Sequence, residues 1–295
     1  MSSRARDPSF YARVEALRLR AREVGEAILS GLHASRHQGA SVVFADHREY
    51  RPGDDPRTLD VRAMARTDRP VVRRFEHEAR LPAALYLDVS GSMRFRSRES
   101  LPTKAEHAEL LLAGLAYVLL RQGDAVAALR FQDAIEADSP LRSQMVSFER
   151  TLDVLLAEPG DASRTSLPTV LEQALPRLSR RSLVFLASDL LEPGRPLDGL
   201  RGFASAGHRV VVLHVLDPAE LEFPFSDSAE FVGLEGESPL TADAGAVRDA
   251  YLRAFERHRA ALVDACAAAS ARYVLARTDV PAERVLADLL GGSVL

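Results

Sequence analysis

The chain has 295 residues, with 38 Lys and Arg against 42 Asp and Glu for a formal net charge of −4. That length exceeds an average domain, so one large domain plus a smaller region is expected, with 46% hydrophobic residues to build the core. The slightly acidic balance argues against a dedicated nucleic-acid binder, which needs a basic surface to neutralise phosphates.

Met1 to Phe10 is polar and Arg-containing, with none of the apolar centre a signal peptide needs. The longest apolar run, Leu110 to Leu120, is shorter than the ~18 residues of a membrane span. A soluble, cytoplasmic protein without a membrane span is therefore expected. The single cysteine, Cys266, has no partner for an internal disulfide, which fits a reducing compartment, and it reads as a small buried hydrophobe.

In chain order, Phe10, Val14, Leu17, Val24, Ile28 and Leu32 recur at helical spacing, predicting a helix over Ser9 to Leu32. His33 and His37 stand four apart, but no third ligand is near and glycines flank them, so no zinc site is read there. From Gly39 to Glu78 the character changes. Ser41 to Phe44 reads as a strand, Arg51 to Pro56 as a turn-rich loop, Asp60 to Arg69 as a short helix, and Val71 to Glu78 as a charged strand. The arginines from Arg57 to Arg74 alternate with acids, so this is a mixed-charge surface, suited to a protein partner more than to nucleic acid.

From Ala83 onward, apolar strands alternate with helices. Strands are predicted at Ala83–Leu87, Ala125–Phe131, Ser182–Ala187, Arg209–Leu216 and Arg272–Ala276. Helices are predicted at Thr103–Gln122, Ser143–Ala157, Pro168–Leu178, Leu197–Ala206, Ala246–Ser270 and Pro281–Leu290, with a strand pair around Phe231 and Val232. The Thr103–Gln122 helix is apolar nearly all round in its second half, so it should be buried. His214, inside an apolar strand, reads as a satisfied core histidine. The whole is an α/β fold with a doubly wound, mainly parallel sheet flanked by helices. Residues 1–80 form an N-terminal helix and β-rich flanking region, and 81–295 the sheet domain.

The chemistry concentrates where the first of these strands ends, at Asp88-Val-Ser-Gly-Ser92. In an α/β sheet, ligands bind at the carboxyl ends of the strands. Asp88, Ser90 and Ser92 are hard oxygen donors, and Gly91 can supply backbone angles that fold the two serines toward one point. The loops holding Thr165 and Asp189 should lie on the same edge. The set then offers two carboxylates and three hydroxyls, suited to one Mg²⁺ or Mn²⁺ ion with room for an outside ligand. A Gly-x-Ser-x-Gly elbow and a phosphate-binding Gly-x-x-x-x-Gly-Lys loop are both missing.

The Asp-x-Ser-x-Ser turn, with a threonine and an aspartate from two later loops, resembles the metal-ion-dependent adhesion site of von Willebrand factor type A domains. The resemblance implies a bound magnesium or manganese ion whose open position takes a partner's acidic side chain. Tyr50-Arg-Pro-Gly-Asp-Asp-Pro-Arg57, Asp60, Ala65-Arg66, Phe75-Glu-His-Glu78, Gln122-Gly-Asp124, Ser188-Asp189 and Thr278-Asp-Val-Pro281 are similar to the bacterial domain of unknown function 58 family. That similarity implies a von Willebrand type A-like fold, frequent pairing with a MoxR-type AAA+ ATPase, and a chaperone-like adaptor role without catalysis. The family usually has Trp where this chain has Val61. The alternative is a Mg-dependent phosphotransferase or phosphatase with Asp88 as nucleophile. Such enzymes usually carry a second aspartate where Ser90 stands.

Overall fold

The computed structural model describes residues 8–39, 47–49, 64, 71–73, 82–157, 166–179, 181–192, 194–235 and 238–291. It divides into two compact units, one of residues 1–29 with 81–295 and one of residues 30–80. In the smaller unit, β1 (His47–Glu49) pairs antiparallel with β2 (Val71–Arg73). The strand expected at Ser41–Phe44, the side chains of Leu32, His33 and His37, and Val61 lie outside the described residues.

The larger unit is built on a six-stranded sheet. Its strands are β3 (Ala83–Asp88), β4 (Val126–Phe131), β5 (Ile135–Asp138), β6 (Leu183–Ser188), β7 (Arg209–Leu216) and, after a separate hairpin, β10 (Arg272–Arg277). The spatial order is β10-β7-β6-β3-β4-β5, parallel throughout except for β5, which runs antiparallel on the outer edge. Counted along the chain, this is the doubly wound order 3-2-1-4-5-6. The expected α/β sandwich is the one observed. The chain builds outward from β3 in one direction, then returns to lay β6 on its other side, pairing Ala83 with Leu183 through Leu87 with Ala187. A crevice opens at the carboxyl ends of these two neighbours, because the following segments leave in opposite directions. Both strands are buried along their whole length, as their unbroken apolar runs require. Strand β5 escaped the sequence reading because its short, half-exposed Ile-Glu-Ala-Asp has no apolar run; a charged edge of this kind discourages further pairing.

Helices cover both faces. After β3 comes α2 (Lys104–Gln122), opened by a Thr103–Glu106 capping box and closed by Gly123 at φ 84°. Then follow α3 (Ser147–Leu155), α4 (Leu167–Ala174), α5 (Leu200–Ser205) and α6 (Pro218–Glu222). The hairpin of β8 (Ser228–Phe231) and β9 (Leu240–Asp243) leads into α7 (Ala244–Ala268), and α8 (Ala282–Gly291) closes the described chain. Cys266 is buried on α7 among the apolar side chains of one sheet face.

The N-terminal helix α1 (Pro8–Gly39) buries Phe10, Val14, Leu17, Ala21, Val24 and Ile28, the stripe expected from spacing plus Ala21. It lies on α2. A Cβ on Gly25 would collide with the Tyr117 ring, and one on Gly114 would reach Val24 at 3.0 Å. Tyr117 donates to Glu26 at 2.5 Å and meets Phe148 edge-on at 5.6 Å. This is why the second half of α2 is apolar all round: the sheet takes one side and α1 the other. It is also why the expected region 1–80 does not act as one piece, since its first 29 residues join the sheet unit and only residues 30–80 stand apart.

Under this cover α2 carries His107, which is 3% exposed and whose Nε2 finds no partner among the described residues. Burial, helped by the Arg20 charge and opposed by Asp279, lowers its pKa from 6.5 to about 4. The folded protein thus resists a proton that the unfolded chain takes up below its ordinary pKa. The stabilising contribution is present above pH 6.5 and is lost as pH falls toward 4. Chemical denaturation of wild type and His107→Gln should show the wild type losing about 3 kcal/mol more between pH 7.5 and pH 4. Parallel profiles for the two would refute this assignment.

Candidate metal centre

The crevice between β3 and β6 receives Asp88 from one strand end and Asp189 from the residue after the other. Asp88 is 1% exposed. Its Oδ1 accepts from the Ser90 amide at 2.9 Å, an Asx-type turn that folds the chain back directly after the strand. Its Oδ2 accepts from the Ser188 hydroxyl at 2.6 Å, tying the two strand ends together. Gly91–Arg94 then winds into a short 3-10 turn, which sets the Ser90 and Ser92 hydroxyls 3.2 Å apart. Ser92 also hydrogen-bonds Asp189 through its side chain. Asp88, Ser90, Ser92 and Asp189 are thus brought together at this edge of the sheet. Thr165, the fifth residue of the expected set, lies outside the described residues. Gly91 is there for a different reason than its backbone freedom. Its φ is not in the left-handed region; instead, a Cβ would strike the Leu234 carbonyl oxygen that packs against it.

The Asp189 turn is held by three imposed contacts. Leu190 adopts a left-handed φ of 53°, which costs a non-glycine residue roughly 1 kcal/mol. The Ser188 hydroxyl accepts from the Leu190 amide at 3.0 Å, and His258 Nε2 lies 2.9 Å from the Leu190 carbonyl. His214 Nε2 reaches the Asp189 carbonyl at 2.8 Å while its Nδ1 meets the Tyr273 hydroxyl at 2.7 Å. With Nε2 donating, Nδ1 accepts, so the ring is neutral, and burial accordingly lowers its pKa to about 4. The core histidine expected in β7 is thus also a clamp on the site.

Two participants were missed by the sequence reading. Lys104, fully buried at the first turn of α2, places Nζ 2.7 Å from Asp189 Oδ2 and 2.5 Å from Glu220 Oε1. Glu220 is aimed by its own helix. Asp217 N-caps α6 through the Ala219 amide at 2.8 Å, and Glu220 Oε2 accepts from the Asp217 amide at 2.8 Å, leaving Oε1 for the lysine. A lysine at a helix N-terminus opposes the helix dipole, and that anomaly was the available signal.

Burial works against every charge here. It would depress the Lys104 ammonium, but Asp189 and Glu220 outweigh it and hold the pKa above its ordinary value. It would also neutralise Asp189, but Lys104 keeps that carboxyl below its usual range. For Glu220 burial prevails over the lysine and the pKa is raised. Burial and the Asp189 charge push Asp88 up to about 7 against the hydrogen bonds from Ser188 and Ser90. Among the described residues, the Lys104 ammonium lies between two of these carboxylates, Asp189 and Glu220, so the site keeps an excess of negative charge when all are ionised.

The donor set fits a hard divalent cation, since its oxygens are carboxylate and hydroxyl and its residual charge is of the right sign and size. Asp189 is already half-committed to Lys104. Among the described residues there is no cluster of three or more His, Cys, Asp or Glu placed to hold a metal. The candidate therefore rests on Asp88, the two serine hydroxyls and a shared Asp189. Asp88, Ser92 and Asp189 line a cavity of about 750 Å³ whose walls also include Phe223, Phe225, Phe231 and Tyr251.

Residues 46–261 match the family described as "Protein of unknown function DUF58". The chain belongs to the DUF58 family. Among curated proteins, this DUF58 chain is 28% identical over 279 residues to "Uncharacterized protein Rv1480" of Mycobacterium tuberculosis, covering 92% of this chain and 86% of that protein. A Mycobacterium bovis protein, "Uncharacterized protein Mb1516", matches to the same extent. Similar solved structures include the conserved hypothetical protein BatB of Bacteroides thetaiotaomicron, 15% identical with a TM-score of 0.46 over 72% of this chain and 97% of that one. The SpRpn10 VWA domain is 14% identical with a TM-score of 0.39, over 72% and 96%.

Removing the one buried ammonium of the DUF58 site leaves Asp189 and Glu220 uncompensated. Lys104→Met should therefore lower unfolding stability by about 3–5 kcal/mol. Lys104→Met/Glu220→Gln should recover part of that loss. Denaturant titration of the three proteins reads both effects, and a Lys104→Met variant as stable as wild type would contradict the charge balance described.

Proposed function

We propose that the chain is a non-enzymatic, metal-dependent protein-binding module. One Mg²⁺ or Mn²⁺ ion would be held by Asp88, Ser90, Ser92 and Asp189, with Thr165 as the further hydroxyl. When bound, the ion supplies positive charge to which a partner's acidic side chain can coordinate. The observation that carries the reading is the buried Asp88 carboxyl at the switch point of the sheet, with the Ser90 and Ser92 hydroxyls 3.2 Å apart on the turn that follows it. The chain's own residues hold these oxygens in place: Ser188 orients Asp88, and His214 and His258 fix the Asp189–Leu190 turn.

The proposed partner is a MoxR-type AAA+ ATPase, for which this chain would act as adaptor or co-chaperone, as the family resemblance implies. The reading places the protein in the cytoplasm; among the described residues no helix is long and apolar enough to cross a membrane. The phosphatase alternative is disfavoured at Asp88 itself. Both carboxylate oxygens accept hydrogen bonds within the fold, and Ser90 stands where such enzymes usually carry a second aspartate.

Calorimetric titration of the full chain with Mg²⁺ and Mn²⁺ should give a single site that Asp88→Ala abolishes and Ser92→Ala weakens. Pull-down of the MoxR-type ATPase should require the metal and fail with Asp88→Ala. Identical metal uptake in wild type and Asp88→Ala would sink the proposal. Phosphatase turnover that Asp88→Asn removes would replace it with the enzymatic reading.

A further inference from the structure

The hairpin between α6 and α7 brings a carboxylate of the chain's own to the Asp88–Ser92 turn. Glu235 Oε1 accepts from the Ser92 amide at 3.3 Å. One residue earlier, the Leu234 carbonyl packs on Gly91 so closely that any side chain there would collide with it. These two contacts are independent, one polar and one steric, and both fall on the metal-binding turn. The base of the hairpin is anchored in an aromatic cluster: Phe231 stacks on Phe223 at 6.0 Å, and Phe223 meets Phe225 at 5.2 Å and Tyr251 at 4.6 Å. Beyond that base the cover is thin. Val232 and Leu240 are each 64% exposed and Leu234 49%, so the outer hairpin is held to the body chiefly at Gly91 and Ser92.

The charge arrangement adds a reason. Glu235 is close enough for its charge to raise the pKa of Glu192, and both line the cavity that contains Asp88 and Asp189. A cation bound among carboxylates this close would relieve their mutual repulsion.

We infer that the β8–β9 hairpin is an intramolecular cap on the Asp88–Ser92 turn, with Glu235 holding the place that a partner's acidic side chain would take. Partner binding then requires the hairpin to swing aside about its aromatic base. The competition for the metal rests on the function proposed above, whereas the capping contact itself does not.

The test uses two variants of the full chain. Glu235→Gln removes the carboxylate, and Gly91→Ala drives the Leu234 carbonyl away while leaving Glu235 intact. In the metal-free protein, the Ser92 amide should exchange with solvent about tenfold faster in both variants, as expected for loss of its acceptor. In the Mn²⁺-loaded protein, acetate as a minimal carboxylate should bind several-fold more tightly to both variants than to wild type. Unchanged Ser92 exchange would overturn the cap. Faster exchange with unchanged acetate binding would overturn the competition. If wild type takes up Mn²⁺ and Asp88→Ala does not, either failure falls on the cap alone; if wild type takes up no Mn²⁺, the metal reading fails and the competition with it.

Discussion

The site depends on an imbalance of buried charge where the sheet reverses its direction of growth. Asp88, Asp189 and Lys104 are almost fully buried and Glu220 largely so, with the Lys104 ammonium between Asp189 and Glu220. Desolvation opposes each of these ionised groups; Lys104 and Asp189 hold one another charged, whereas the Asp189 charge makes Asp88 harder to ionise. The strand order places Asp88 and Asp189 next to each other, and the loops after β3 and β6 diverge to leave room above them. Much of the surrounding structure serves to hold these groups still: the Ser188 bridge, the left-handed turn at Leu190, and the two histidines gripping its carbonyls.

Lys104 alters how a metal at this site should be viewed. A site built only from Asp88, Ser90, Ser92 and Asp189 would present two uncompensated carboxylates side by side. With Lys104 between Asp189 and Glu220, part of the charge of those two carboxylates is already neutralised. Because Asp189 Oδ2 is engaged by the ammonium, its part in holding a cation is shared with Lys104. The aromatic end of the cavity supplies a second character to the same opening, apolar where the first is acidic.

The N-terminal helix shows how packing can redraw a boundary suggested by composition. Its buried stripe was legible from spacing, yet which surface it would cover was not. The fit of Gly25 against Tyr117 and of Gly114 against Val24 depends on two glycines 89 positions apart meeting in space. Glycine has no spacing signal of its own, so this contact left no mark on the hydrophobic pattern.

From its residues alone, the chain declared its alternation of strands and helices, the buried helix Thr103–Gln122, and the Asp88-x-Ser90-x-Ser92 turn. Those are local signals, since apolar period and turn chemistry act over a few neighbours. Beyond the misplaced charge of Lys104 at a helix N-terminus, Lys104, Glu220 and Glu235 are ordinary surface residue types whose meaning comes from partners 85, 116 and 143 positions away along the chain. The role of Gly91 was likewise decided by a carbonyl from a distant hairpin. Long-range proximity set the charge balance, because burial and Coulomb interaction depend on distance in space, which the order of residues does not encode.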